Sequence, residues 1–105
     1  MNRLPYVSII LNSDRFKINQ FLTYHYNDVD VVYRLRGIVY ATNGHHFVSR
    51  YFSGDGHIWF HDGIRTERHC KSEGFISDTL EDEWLMNMTT SNTHRQAVMV
   101  LYARN

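Results

Sequence analysis

The residues of this chain best placed to do chemistry together are His46 and Asp62. They lie within residues 43–63, NGHHFVSRYFSGDGHIWFHDG, where two short aromatic runs flank a Gly-rich turn. A three-residue loop of Ser53, Gly54 and Asp55 is a common hairpin connection. It predicts Phe52 opposite Gly56, Arg50 opposite Ile58, Val48 opposite Phe60 and His46 opposite Asp62. Directly opposed residues share a face with Cβ atoms about 4.5–5.5 Å apart, which suits an imidazole–carboxylate hydrogen bond. Such a pair is the base and orienter of a nucleophile–base–orienter triad. A slip of one residue would carry Asp62 to the other face. The competing explanation is a surface His and a surface Asp on an edge hairpin.

No nucleophile obviously belongs to that pair. The single cysteine, Cys70, follows the basic loop RTERHC and reads as a loop or small core thiol. His45, His46, His57, His61 and Asp62 form a His-dense patch, and imidazoles with a carboxylate suit zinc. The proposed register sets His57 and His61 on the face opposite His46 and Asp62, so a three-ligand site would need a loop ligand as well. The expectation is therefore no metal and no cofactor. Arg65 and Arg68 read as a solvated loop. Tyr24, His25 and Tyr26 form a polar–aromatic cluster that could touch a partner.

The elements that must hold these residues are mostly strands. Residues 4–11, LPYVSIIL, are rich in β-branched and aromatic types, with proline near the strand start, where it is tolerated. Residues 29–41 read as a strand with Tyr33, Leu35, Gly37 and Val39 on one face and Arg34, Arg36, Ile38 and Tyr40 on the other. Residues 46–52 and 57–61 form the hairpin. Residues 97–104 are apolar on both faces and read as a central strand. One helix is expected over 78–88, with Asp78 as N-cap, Glu81 at the capping-box position and Leu80, Trp84 and Met88 along one core-facing stripe. Residues 12–28 and 64–77 read as irregular connections, and 89–96 as a polar loop.

Composition bounds the function classes. The 105 residues suit a single domain with a small core. Lys plus Arg and Asp plus Glu are 11 each, so nothing in the balance points to nucleic acid or an anionic membrane. No apolar run approaches the roughly 18 residues of a membrane span, and the N-terminus has no h-region or cleavage signature. One cysteine excludes an internal disulfide and fits a reducing, intracellular compartment, cytoplasm or nucleus.

Taken in order, the motifs resemble the C-terminal half of the ubiquitin-specific protease family, the papain-like deubiquitinating cysteine peptidases. LPYVSIIL followed by Arg15-Phe16 resembles the strand that precedes the family's histidine box. Tyr33-Arg34-Leu35-Arg36-Gly37-Ile38-Val39-Tyr40 is similar to its Tyr-x-Leu strand, and HHFVSRYF to its Gly-His-Tyr-type box. Trp59-Phe60-His61-Asp62 resembles the strand bearing Trp and then Asp or Asn, and VMVLYAR the last strand. The box here reads Gly44-His45-His46-Phe47. His46 is chosen over His45 because Phe47 then stands for the aromatic after the catalytic His. Gly63 stands where a second Asp often follows. The family's cysteine box lies upstream in a helical half that this chain lacks, and Cys70 does not match it.

The resemblance implies an α+β fold, mainly antiparallel sheet with one helix, spanning 1–105 as a partial catalytic domain. It implies deubiquitination by isopeptide hydrolysis, with His46 as base, Asp62 as its orienter and Trp59 packed beneath the hairpin. Nucleophile and oxyanion donors belong to the absent half, so the isolated chain is expected to be inactive. The implied partners are ubiquitin or a ubiquitin-like protein, with a complementary chain or self-association covering the seam. The alternatives are a non-catalytic β-sheet protein-binding module and a small His-rich metal-binding domain.

Overall fold

A computed structural model of the protein describes residues 6–11, 17–41, 47–62, 70–76, 82–90 and 93–104. The elements run β1 (Tyr6–Ile10), β2 (Phe21–Tyr26), β3 (Val29–Ala41), β4 (Phe47–Phe52), β5 (His57–Asp62), β6 (Lys71–Phe75), α1 (Asp82–Met86), β7 (Asn87–Thr90) and β8 (Thr93–Arg104). Strands account for 76% of the described residues, and every strand pair is antiparallel. The sheet order is β1-β8-β3-β4-β5-β6, with β2 also on β3 and β7 also on β8. The mainly antiparallel sheet with one short helix is thus as the sequence predicts. No helix among the described residues is long and apolar enough to cross a membrane.

The two central strands carry the curvature. In β3 the buried positions run Val31, Tyr33, Leu35 and then Ile38, Tyr40. The register shifts between Leu35 and Gly37, so Arg36 is an extra residue and the alternation changes parity there. Unbroken alternation, which sets Ile38 and Tyr40 beside Arg34, fails at this bulge. In β8 the buried positions run Arg95, Ala97 and then Val100, Tyr102. The shift between Val39 and Tyr40 makes Val98 the extra residue there. Bulges bend a strand and increase its twist, and the sheet curls into a half-barrel. Its inner face buries Leu35, Ile38, Tyr40, Val100 and Tyr102, with Ile18, Leu85 and Met86 closing over them. The Tyr102 hydroxyl donates to the Asn19 carbonyl at 2.6 Å, which ties the segment before β2 to the core.

Three connections differ from expectation. Residues 12–28 hold β2, joined to β3 by Asn27 and Asp28 at φ 47° and 61°. Both residues are left-handed, as a two-residue type I′ hairpin requires. Residues 64–77 hold β6 at their end. The helix is five residues long, because Asn87–Thr90 pairs with β8 from Gln96 back to Thr93. Met88 is therefore a strand residue, and most of the expected 89–96 loop is a hairpin. Asp78, Leu80 and Glu81 lie outside the described residues.

The β4–β5 turn sets the geometry of the candidate site. The loop is Gly54-Asp55-Gly56, one residue later than the sequence suggested. Ser53 donates its N–H to His57 O at 2.9 Å, and Gly56 donates to Ser53 O at 2.9 Å. Gly56 sits at φ +86°, the left-handed third position of such a loop. Asp55 is a poorer occupant of that position. Phe52 consequently faces Ile58, Arg50 faces Phe60 and Val48 faces Asp62. The slip is two residues, so every side chain keeps its face.

A Cβ at Gly56 would stand 3.1 Å from Ile76 Cγ2, whereas Gly74, at φ +96°, has nothing within 4 Å. Both positions carry the backbone cost of a left-handed L-residue, about 1 kcal/mol. Gly56→Ala is expected to lower the urea midpoint clearly more than Gly74→Ala. Equal losses would contradict the packing described for this turn.

Candidate functional site

Asp62 is the last residue of β5, at the open end of the β4–β5 hairpin, the end at which β4 begins. It is 1% exposed and faces Val48 across the pair. Burial of a carboxylate is costly unless it is hydrogen-bonded or paired, so this is a held group and not a surface Asp. His46 and His45 precede β4 and lie outside the described residues.

On the same inner face, diagonal to Asp62, stands Arg50. It is 5% exposed. Nε donates to Glu73 Oε1 at 3.0 Å. Nη1 is shared among Tyr40 Oη at 2.9 Å, Trp84 O at 2.8 Å and Asn87 O at 3.4 Å. The guanidinium lies 3.6 Å from the Trp84 ring centroid, a cation–π stack. Tyr40 in turn donates its hydroxyl to Leu85 O at 2.6 Å. Glu73 reaches Arg50 through the register shift in β6: Ile58 pairs with Gly74 and Trp59 with Ser72, leaving Glu73 as the bulged residue. Arg50 is thus engaged as a clamp, and its ion pair is with Glu73, not Asp62.

An imidazole–carboxylate pair is found at His25 and Asp30. His25 Nδ1 lies 2.7 Å from Asp30 Oδ1, and the two residues are directly opposed across β2 and β3. Their side chains are 72% and 63% exposed. An exposed pair of this kind contributes little and has no packing to fix the ring, so it does not make a catalytic dyad. The signal that would have found it is the Asn27-Asp28 turn.

The outer face of β4, β5 and β6 is aromatic. His57 stacks on Trp59 at 4.1 Å and against Phe75 at 4.6 Å, and its Nε2 lies 2.6 Å from Ser72 Oγ. Arg36 covers the Tyr51 ring at 5.6 Å and donates to its hydroxyl at 3.1 Å. Phe47, Tyr51 and Phe75 remain exposed. Trp59 belongs to this outer row, stacked on His57, and not beneath the hairpin. His57 and His61 alternate onto the outer face and Asp62 onto the inner one. Among the described residues no three His, Cys, Asp or Glu side chains converge as a metal site. Cys70, just before β6, is an exposed free thiol.

Comparisons with protein-family models, with curated proteins and with solved structures find no match. The site's meaning rests on its own geometry.

Burial pushes the Tyr40 phenol from 10.0 up to about 12 against the opposing charge of Arg50, and burial likewise raises Tyr102 to about 12. The folded chain keeps these protons where the unfolded chain loses them. Their contribution to stability is complete below pH 10.0 and is lost as pH rises towards about 12. An alkaline absorbance titration should show late-ionising phenols, one of which disappears in Tyr40→Phe. A titration complete before the late window, with the protein still folded, would contradict the burial.

Proposed function

We propose that this chain contributes the base and orienter, His46 and Asp62, of a papain-like cysteine peptidase. Its substrate would be the bond after the C-terminal glycine of ubiquitin or a ubiquitin-like protein. The observation that supports the reading best is Asp62: a buried carboxylate at the open end of the hairpin, on the inner face, one strand from the start of β4. In this reading a thiolate from a cysteine-box half attacks the carbonyl carbon. The His46 imidazolium, held as its ion pair, gives its proton to the leaving lysine amine, and water then cleaves the thioester. Asp62 fixes the ring's tautomer and stabilises its cationic form. Arg50, on the same inner face, pairs with Glu73. Oxyanion donors come with the nucleophile, so this chain alone is inactive.

A second reading, a non-catalytic protein-binding module, is favoured by one observation: the exposed outer row of Phe47, Tyr51 and Phe75. Exposed apolar patches of a few hundred Å² tend to mark interaction surfaces.

A single experiment separates the two. In the peptidase reading, proton NMR of the chain shows a His46 imidazole N–H that exchanges slowly with water, because a buried carboxylate accepts it. The resonance disappears in Asp62→Asn while the backbone spectrum stays folded. A His46 ring proton that exchanges freely in both proteins would remove the peptidase reading and leave the binding module.

A further inference from the structure

One edge of β3 is shared by two strands. β2 pairs along it up to Arg34, and β4 pairs from Gly37 onward. The two partners part at the Arg36 bulge, and a cleft of about 370 Å³ opens in the notch between them. Its wall on one side is Gln20 and Phe21, with Leu35 N–H closing the neck onto Gln20 O at 2.8 Å. Its wall on the other is the β4–β5 turn. Leu35, Phe52 and Ile76 supply apolar lining. That volume lies in the range of sites for small ligands, and such sites combine apolar walls with a few placed polar groups.

Two charged groups line the notch. The Arg34 guanidinium lies 5.4 Å over the Phe21 ring, and Nη1 donates to Gly54 O at 2.7 Å. A guanidinium has five N–H donors in a rigid fork, so most of this one's capacity is unused. Arg34 has no ion pair with any carboxylate of the described residues. Arg50, by contrast, donates from Nε to Glu73 and from Nη1 to Tyr40 and two carbonyls. The stack on Phe21 and the bond to Gly54 fix the orientation of the Arg34 plane before any ligand arrives. Asp55 sits on the same rim. Its Oδ1 accepts from the Ser53 hydroxyl and from the His57 N–H at 3.1 Å, and the Ser53 bond holds its carboxyl below the usual range.

We propose that this notch binds an α-carboxylate carried by an apolar residue: Arg34 takes the carboxylate in a two-pronged contact, the Leu35–Phe52–Ile76 lining receives the side chain, and Asp55 favours the residue's own N–H. A fork of parallel N–H donors is the group best matched to a carboxylate. The chemistry is shared by the free C-terminal end of a peptide, whose N–H is an amide, and by a free amino acid, whose nitrogen is an ammonium. The notch lies at the turn end of the hairpin, the opposite end from Asp62, and the inference stands independently of the peptidase reading.

The test is an amide chemical-shift titration of the whole chain with three probes: N-acetyl-L-phenylalanine, N-acetyl-L-phenylalaninamide and L-phenylalanine. Saturable shifts are expected with N-acetyl-L-phenylalanine, or with L-phenylalanine, confined to Gln20–Phe21, Arg34–Leu35, Ser53–Gly56 and Ile76, with Kd on the order of millimolar for so small a ligand. Loss of the charge in the amide should weaken binding by about tenfold or more, and Arg34→Gln should bring the acid to the same weak level. Tighter binding of the N-acetyl acid assigns the site to peptide ends, and tighter binding of L-phenylalanine assigns it to free amino acids. Acid and amide binding alike, shifts scattered over the sheet, or no shifts with either acid would overturn the proposal. Should Arg34→Gln not fold, the acid–amide comparison on the unmodified chain decides the matter alone.

Discussion

A single buried cation organises the inner face of this sheet. Taking a guanidinium out of water costs several kcal/mol unless its donors are met, and Arg50 is met from four places at once. Tyr40 comes from β3, Glu73 from the bulge in β6, and the Trp84 and Asn87 carbonyls from the two ends of the α1–β7 junction. None of these partners is a neighbour in sequence. The arrangement is satisfied only when the edge strand and the short helix close over β3 and β4 in one way. An apolar residue at this position would tolerate several ways of closing. The arginine therefore selects a geometry more than it adds net stability.

That selection bears on Asp62. Arg50 and Asp62 share the inner face of one hairpin, in register pairs separated by the Ser49–His61 pair. The β6 bulge brings Glu73 to Arg50 as its ion-pair partner. The hairpin then has two distinct ends. At its turn, the notch between β2 and β4 exposes a pre-oriented Arg34. At its open end, a buried carboxylate stands beside the start of β4.

Much of this could be read in the sequence, and the misses have physical causes. The strand over 29–41 and the hairpin around the SGDG turn follow from β-branched and aromatic runs and glycine placement. Asp62 lies on the face opposite His57 and His61 as expected, because a two-residue slip preserves sheet parity, but the residue across from it is Val48 and not His46. The bulges at Arg36 and Val98 carry no residue signature, so the face of Ile38 and Tyr40 was inverted. β2 was hidden because its turn uses Asn27-Asp28 without a glycine. β6, KSEGF, shows no alternation because Glu73 is bulged inward. Helical spacing of Leu80, Trp84 and Met88 suggested a longer helix, yet pairing with β8 claims the chain from Asn87 onward. The role of Arg50 could not be inferred, since its carboxylate partner is 23 residues away in a segment that reads as irregular.

Arg50 holds β6 and the α1–β7 junction in place against β3 and the β4–β5 hairpin. Native-state amide hydrogen exchange of the unmodified chain and of Arg50→Met measures it strand by strand. The account predicts that the amides of β5 and β6, Asp62 among them, lose far more protection than those of β1 and the paired half of β8. A loss of protection spread evenly over all strands, or none at all, would contradict it.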